Sequence, residues 1–128
     1  MYKYGLIFVF LLLVGKSYSQ TNKVEPEMMF RDTLHNFGKI WYQGEAIYEF
    51  TFKNTGKSPL VIEGVRSSCG CTVPEWGKAP VMPKGKGVIK VKYDTNKIGE
   101  FQKTVKIFSN AVNSPVTLLI MGVVRVTD

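Results

Sequence analysis

The segment Ala46-Ile47-Tyr48-Glu49-Phe50-Thr51-Phe52-Lys53 decides the fold class of this 128-residue chain, because its even-numbered side chains are apolar and most of its odd-numbered ones are polar. Successive side chains of a β-strand point to opposite faces of the sheet. The segment is therefore predicted to form a strand whose even-numbered face, from Ala46 to Phe52, packs in a core.

The same two-residue period recurs toward the C-terminus. Residues 88–93 and 101–108 alternate in polarity, whereas residues 116–126 are almost continuously apolar, which favours a final strand well inside a sheet. Turn-forming residues separate these strands, and no stretch of helical length repeats an apolar residue every three to four positions.

Further strands are expected over residues 28–34 and 60–65, with room for a short one at 79–82 inside an irregular connection over 75–87. About seven strands with turns at roughly ten-residue spacing predict an all-β fold, an immunoglobulin-like two-sheet β-sandwich. The antibody pattern of two distant cysteines around a tryptophan is absent, so only the architecture is predicted.

The N-terminus has the three parts of an export signal: the positive Lys3, the apolar residues 6–14, and the small-residue site Ser17-Tyr18-Ser19. Cleavage is expected after Ser19, which divides the chain into a signal peptide over 1–19, a flexible lead-in over 20–27 and one sandwich domain over 28–128. The apolar run is shorter than the roughly 20 residues that span a membrane, and no later segment qualifies. The mature chain is therefore predicted to have no membrane span.

Cleavage lowers the formal charge from +7 to +5, because Lys3 and Lys16 are removed. The remaining positive residues are spread over strands and turns rather than clustered. Nucleic-acid binding needs a clustered basic footprint, so we expect a solvated surface and no nucleic-acid partner.

The chain has two cysteines, and both lie in the motif Ser68-Cys69-Gly70-Cys71-Thr72 after a predicted strand. Residues two apart on an extended strand have Cα atoms about 6.5 Å apart, near the upper limit for a disulfide. A bend at Gly70 would bring them closer, since glycine adopts backbone angles closed to other residues. In an exported protein such neighbouring thiols are expected to be oxidised.

Four interpretations of the pair stay open at this stage. A disulfide fixes the loop; a strained small ring serves as a redox-active pair; two thiolates hold copper(I); or two buried thiols are inert. Zinc is disfavoured, because it requires four ligands and His35 lies far away in the chain. We expect no bound metal and no cofactor.

Outside the motif, no pattern predicts catalysis. The carboxylates show no paired spacing for acid-base chemistry, no serine-nucleophile signature occurs, and His35 in a polar turn is interpreted as incidental. Trp76, five residues after Cys71, either plugs one end of the sandwich or forms an exposed contact beside the cysteines. Trp41 is expected to pack in the core or at an edge. The chain is therefore predicted not to be an enzyme.

Several segments in combination resemble an exported bacterial family called domain of unknown function 1573. They are Phe50-Thr51-Phe52-Lys53-Asn54-Thr55-Gly56, Pro59-Leu60-Val61-Ile62, Ser68-Cys69-Gly70-Cys71-Thr72, Pro83-Lys84-Gly85 and Gly99-Glu100-Phe101-Gln102-Lys103-Thr104-Val105. The resemblance spans nearly the whole mature chain. It implies an immunoglobulin-like sandwich in a Gram-negative bacterium, similar to domains of major sperm protein and of cilia and centrosome proteins.

The resemblance also carries Cys69, Gly70 and Cys71 over as the signature site, and it implies no established activity. Lys84 departs from the proline-glycine that the family usually has before this turn, and the departure affects the turn type only.

Together these observations predict an exported module, periplasmic or extracellular, that binds another envelope or secreted protein or scaffolds the envelope. Its candidate contact surface combines the Cys69 to Cys71 loop, including Ser68 and Thr72, with Trp76. Sheet edges offer a second surface, because related sandwiches accept an added strand. The alternative is a redox or copper(I) module that uses Cys69 and Cys71, and a third class is a purely structural envelope component.

Overall fold

The computed structural model describes residues 24–127, and within them all regular structure is β-strand. Eight strands follow one another along the chain: β1 (Met28–Phe30), β2 (Leu34–Trp41), β3 (Ile47–Asn54), β4 (Ile62–Ser67), β5 (Thr72–Trp76), β6 (Lys86–Tyr93), β7 (Gly99–Ser109) and β8 (Val116–Arg125). The predicted signal peptide and its cleavage site lie outside the described residues.

The strands form two four-stranded sheets. The first sheet has the order β1-β3-β6-β5 and the second has the order β2-β8-β7-β4. All neighbours are antiparallel except β2 and β8, which run parallel. The final strand, β8, lies between β2 and β7, so its nearly continuous apolar character matches its internal position. The predicted two-sheet sandwich is confirmed.

The core lies between the sheets and is filled by alternate side chains, as the two-residue period requires. On β3, Phe50 and Phe52 are 1% and 2% exposed, whereas Glu49 and Thr51 face solvent. The second sheet opposes them with fully buried aliphatic side chains, namely Val105, Ile107, Leu118, Ile120 and Val124. Burying one such side chain stabilises the fold by about 1.5–3 kcal/mol.

The chain crosses between the sheets where one strand was predicted over residues 28–34. That segment is split into β1, in the first sheet, and β2, in the second, by the short connection 31–33. Backbone hydrogen bonds hold both sides of the connection: Arg31 N donates to Thr51 O at 3.0 Å, and Leu119 N donates to Thr33 O at 2.8 Å. The apolar residues Met28, Phe30 and Leu34 keep one two-residue phase on both sides of the polar connection, which explains why the sequence reads as a single strand.

A second difference follows the cysteine motif. Residues 72–76 form β5, although residues 75–87 were expected to be irregular throughout apart from a short strand at 79–82. That short strand is reduced to a single bridge between Leu60 and Val81. Strand β5 contains Pro74, which is tolerated because β5 is an edge strand.

The Asn-Thr-Gly turn after β3 has a structural role. Asn54 is fully buried, and its amide donates to Ser58 O at 2.8 Å and to Val81 O at 2.9 Å. Its side-chain oxygen accepts from Gly56 N at 3.0 Å. Nearby, Lys84 adopts a φ of +67° and donates its N–H to Asn54 O at 2.9 Å. The departure from proline-glycine therefore lies at a left-handed turn position.

Part of the segment predicted as a flexible lead-in is held to the sandwich. Pro26 is buried, and its carbonyl accepts from Val112 N at 2.9 Å. Glu27 O accepts from Thr55 N at 3.0 Å, which extends the pairing of β1 with β3 toward the N-terminus.

Candidate functional site

The cysteine motif forms a tight reversal of the chain between β4, at the edge of the second sheet, and β5, at the edge of the first. We call this reversal, residues 68–71, the hairpin, although the two strands that it joins belong to different sheets. Ser68 anchors one arm, since its N–H donates to Thr104 O at 2.9 Å and its hydroxyl accepts from Thr104 N at 3.1 Å. The other arm closes through Thr72 N, which donates to Cys69 O at 3.3 Å. The turn is thus tied to β7 as well as to itself.

Cys69 and Cys71 are joined in a disulfide with their Cα atoms 5.3 Å apart. This distance falls within the usual disulfide range and is shorter than the extended-strand spacing, because the hairpin turns between the two residues. The expected bend at Gly70 does not use a left-handed conformation: among residues 24–127, the glycines with positive φ are Gly38 and Gly99. A Cβ at Gly70 would meet nothing within 4 Å.

The disulfide faces inward although the tip of the hairpin is exposed. Cys71 is 7% exposed and belongs to the core, and Cys69 packs against that core while remaining half-buried. The Cys69 sulfur lies 3.8 Å from the Thr72 hydroxyl oxygen. Solvent therefore meets Ser68 and Gly70 first, and Cys69 is the more accessible of the two cysteines.

A depression of about 690 Å³ lies beside the hairpin, and we call it the hairpin groove. One wall consists of Gly70 and Cys71, with the outward-facing side chains of β5 behind them. The turn after β6 adjoins this wall, because Asp94 N donates to Cys71 O at 2.8 Å. The full set of lining residues is Gln43, Gly44, Gly70, Cys71, Val73, Glu75, Lys92, Tyr93, Asp94, Thr95 and Asn96.

The groove combines exposed apolar surface with charged side chains. Val73 is 52% exposed, and Glu75 and Lys92 lie on the same outer face of the first sheet. Asp94 accepts from Asn96 N and Nδ2 at 3.0 and 2.9 Å, which orients its carboxylate. Burial, with the charge of Asp94 as a smaller cause, raises the pKa of Tyr93 above its usual value.

Trp76 is not brought together with the cysteines. It lies at the far end of β5, and five residues of strand separate it from Cys71 by about 17 Å. Its side chain is on the inner face, half-buried against the core, with the Lys78 Nζ 4.0 Å from the ring centroid. Trp76 therefore packs against the core at the β5 edge, opposite Ile89 in the middle of β6, and is not part of a contact surface beside the cysteines.

The other aromatic residues considered from the sequence lie elsewhere. Trp41 is on edge strand β2 and is 48% exposed, with the Lys39 Nζ 4.9 Å from its ring. His35 stacks on Tyr48 with ring centroids 3.6 Å apart. Desolvation lowers the pKa of His35 below its usual value, against a smaller opposing effect of the Asp32 charge.

The turn after β6 was missed as part of the site. Residues 94–96 carry the signal of a strand end, and nothing local in them indicates a contact with residues more than twenty positions earlier. The pairing of β5 with β6 makes that contact, so only a prediction of the β5 strand would have found it.

Two kinds of feature are absent from residues 24–127. No group of three or more His, Cys, Asp or Glu side chains is placed to hold a metal ion. The same part of the chain contains no helix long and apolar enough to cross a membrane.

Comparison with known proteins identifies a family and a fold. A family model described as protein of unknown function (DUF1573) matches residues 28–124. No curated protein matches the chain.

Among solved structures, a protein of unknown function from Porphyromonas gingivalis W83 superimposes with a TM-score of 0.70 at 11% identity. The match covers 84% of this chain and 51% of that one, so this chain spans about half of its relative. The ASH/PapD-like domain 7 of human CEP192 gives a TM-score of 0.68 at 6% identity, covering 81% and 89%. WR4, an MSP family member of C. elegans, gives 0.50 at 10% identity, covering 77% and 97%. These likenesses show the fold alone and confirm the predicted resemblance to centrosome and sperm-protein sandwiches.

Proposed function

The chain belongs to the family described as protein of unknown function (DUF1573), and from that premise we propose that it is an exported, non-catalytic module that binds another envelope or secreted protein. The family description supplies no activity, so the proposal depends on the site. The observation that carries it is the hairpin groove, which lies beside a turn fixed by the Cys69 to Cys71 disulfide and by backbone hydrogen bonds to Thr104 and Asp94.

A fixed groove of this composition suits a protein partner. Interface hot spots are well-packed central residues surrounded by contacts that contribute little energy but exclude water. Val73 provides an exposed apolar surface, and Glu75, Lys92 and Asp94 provide charges of both signs around it. Because the hairpin is already ordered, binding loses little conformational entropy on this side of the interface.

A side chain at Gly70 tests the groove without changing the fold. Gly70 lines the groove and has open space at its Cβ position, so Gly70→Arg should block the groove and leave the thermal stability unchanged. Gly77 is a matched control, since its Cβ position is also open and it follows the far end of β5.

The experiment is capture of crosslinked partners from the envelope of the native host, with each captured protein quantified by mass spectrometry. We expect Gly70→Arg to lose at least about 90% of a partner that Gly77→Arg retains, which corresponds to more than about 1.4 kcal/mol of binding free energy. Equal capture by both variants, with both folded, would refute the groove as the contact surface.

A second candidate function is thiol–disulfide exchange, which the greater accessibility of Cys69 favours. The thiolate of a partner dithiol protein would attack the Cys69 sulfur, forming a mixed disulfide and releasing Cys71 as a thiolate. The second thiol of the partner, once deprotonated, would then displace the Cys69 thiolate, so that the partner is oxidised and this chain is reduced by two electrons. Only the reduced pair would offer two thiolates to copper(I).

The intact mass after alkylation without reductant separates the two candidates. A static binding module should show no alkylated cysteine when it is taken directly from its host, and Cys69→Ala with Cys71→Ala should retain most of the captured partner, because the backbone hydrogen bonds to Thr104 and Asp94 still hold the turn. An exchange module should show a fraction carrying two alkyl groups, and the double alanine variant should lose function while remaining folded.

A further inference from the structure

The four sheet edges differ in how well they are protected against an added strand. An edge strand carries backbone N–H and C=O groups that point away from its sheet and favour pairing with another chain. On β1, the groups of Met28 point outward, and the side chain of Asn113 occupies them. Met28 N donates to Asn113 Oδ1 at 3.0 Å, and Asn113 Nδ2 donates to Met28 O at 2.7 Å. This side chain takes the place of a neighbouring strand.

The β5 edge is protected by a proline. Asp94 N donates to Cys71 O, whereas Tyr93 N donates to Ala46 O on the other side of β6. The backbone N–H and C=O groups of Cys71, and of every second residue after it, therefore point toward β6. Pro74 therefore has its nitrogen on the outward side, where it offers no N–H. A proline at this position of an edge strand prevents continuous pairing without removing a bond inside the sheet.

The second sheet has two less protected edges, β4 and β2. On β4, Ser68 N donates to Thr104 O of β7. In the regular part of β4, the backbone N–H and C=O groups that point away from β7 are therefore those of Val65 and Ser67. A bulge between Ile62 and Gly64 interrupts the strand before them. Strand β4 therefore presents two outward residues, flanked by the exposed charges of Glu63 and Arg66.

Strand β2 presents a longer edge with an unusual spacing. Leu119 N donates to Thr33 O and Tyr42 N donates to Arg125 O, which fixes the residues that face β8 on each side of a bulge. The residues whose backbone N–H and C=O groups point away from β8, which we call the outward positions, are therefore 34 and 36 before the bulge and 39 and 41 after it. The bulge contains Gly38 at a φ of +67°, and the register shifts between Asn36 and Lys39.

This spacing excludes a regular partner along the whole edge. An ordinary strand directs the backbone N–H and C=O groups of every second residue toward its neighbour. Its hydrogen bonds would therefore match the outward positions of β2 on one side of the bulge and be out of phase with them on the other. Only a strand with a corresponding three-residue step between outward positions can pair with both halves.

We propose that a second copy of this chain pairs with the β2 edge, with the two β2 strands antiparallel. In that register Leu34 lies opposite Trp41 of the second copy, and Asn36 lies opposite Lys39 of the second copy. Each bulge then falls on the two-fold axis and faces the other bulge, so all four outward positions match. The interface is isologous, as in the commonest class of homodimer.

The side chains agree with this register. Leu34 and Trp41 are 51% and 48% exposed, and both belong to the outer face of the second sheet. Antiparallel pairing brings each Leu34 against a Trp41, which removes apolar surface from water on both sides of the axis. The Trp41 carbonyl accepts from Gly44 N at 2.8 Å and keeps a second lone pair for the partner strand.

The dimer leaves the cysteine side of the hairpin groove accessible, whereas Gln43 and Gly44, which also line the groove, lie two and three residues after Trp41. Strand β2 and the disulfide hairpin lie on opposite sides of the sandwich, since β2 and β4 are the two edges of the second sheet. Each dimer would display two grooves, and two-site attachment raises apparent affinity without new contacts. The dimer itself does not depend on the proposed function of the groove.

Sedimentation velocity of the chain as its host processes it, from micromolar to about 1 mM, tests the proposal. We expect a concentration-dependent dimer. Leu34→Pro removes an outward N–H at the first residue of a strand, where proline is tolerated, and should raise the dimer dissociation constant about a hundredfold because two sites change per dimer. Leu34→Ala keeps the N–H and should raise it about tenfold through lost apolar contact.

Amide hydrogen exchange identifies the edge that is used. The amides of Leu34, Asn36 and Trp41 should become protected as the concentration rises, whereas those of Val65 and Ser67 should not. Thermal unfolding of dilute Leu34→Pro checks that this variant is folded, and the exchange pattern of the parent tests the edge independently of any variant. A monomer at every concentration, protection at Val65 and Ser67 instead, or unchanged dimerisation of folded Leu34→Pro would each overturn the proposal.

Discussion

Two of the connections between the sheets join edge strands, and different forces hold them: β1 to β2, which we call the aromatic crossing, and β4 to β5, which we call the covalent crossing. Between β1 and β2, the ring of Tyr48 stacks on His35 at 3.6 Å and meets Phe50 edge-on at 4.8 Å. Its hydroxyl donates to Asp32 at 3.3 Å. Between β4 and β5, a covalent bond joins Cys69 to Cys71.

The difference teaches that a covalent link need not be the stronger restraint on global stability. A disulfide stabilises mainly by removing entropy from the unfolded chain, and a ring of three residues removes little of it. The aromatic crossing instead buries apolar surface and joins residues far apart in sequence. The covalent crossing is therefore expected to fix local shape, and the aromatic one to contribute more to the free energy of unfolding.

The largest expected effect comes from breaking the aromatic crossing. Tyr48→Ala removes a half-buried ring that contacts His35 and Phe50, and we expect the free energy of unfolding to fall by about 2–3 kcal/mol. Urea denaturation monitored by circular dichroism measures this change. Tyr48→Phe is the matched control: it keeps the ring and loses one exposed hydrogen bond, for a loss of less than about 0.5 kcal/mol. Similar losses for the two variants would show that the hydroxyl, and not the ring, holds this crossing.

Breaking the covalent crossing should have a smaller effect. For a three-residue ring the chain-entropy relation gives about 1.6 kcal/mol, so Cys69→Ala with Cys71→Ala should lower the free energy of unfolding by about 1–2 kcal/mol. Alanine is used because Cys71 is buried and a serine hydroxyl there would lack a partner.

The same variant sharpens the local side of the comparison. Amide exchange at residues 68–71 should accelerate more than exchange in the strands of the core, because the bond restrains the hairpin rather than the sandwich. A loss of stability larger than that of Tyr48→Ala would reverse the ranking of the two crossings.

The two crossings also differ in how far the sequence predicts them. The hairpin was located correctly because both cysteines lie in one motif after a predicted strand. The β1 to β2 crossing was missed, since Phe30 and Leu34, on either side of the polar residues 31–33, share the phase expected of a single strand. What separates them is the pairing of β2 with β8, more than 80 residues later in the chain, which local periodicity does not contain.

The same limit applies to the candidate site. The alternation of residues 46–52 predicted the buried face of β3, including Phe50 and Phe52, because burial on a strand is a local property. The hairpin groove depends on the pairing of β5 with β6, and Pro74 hides β5 from a local prediction. Trp76 was grouped with the cysteines by sequence distance, whereas an extended strand carries it away from them to a position opposite Ile89, in the middle of β6.

The smallest expected effect is a pH dependence confined to the aromatic crossing. The pKa of His35 is lowered from its usual 6.5 by desolvation, so the unfolded chain binds a proton more readily than the folded one. Stability from this group is fully present above pH 6.5 and is lost as the pH falls from there through the folded pKa. The free energy of unfolding, measured by urea denaturation between pH 7.5 and 5.5, should therefore decrease slightly with acidification in the parent and less in His35→Phe. Asp32→Asn removes the charge that raises the pKa and should steepen the decrease, whereas the covalent crossing, which does not titrate, should contribute nothing. An identical slope in the parent and in His35→Phe would mean that protonation of His35 does not control this side of the sandwich.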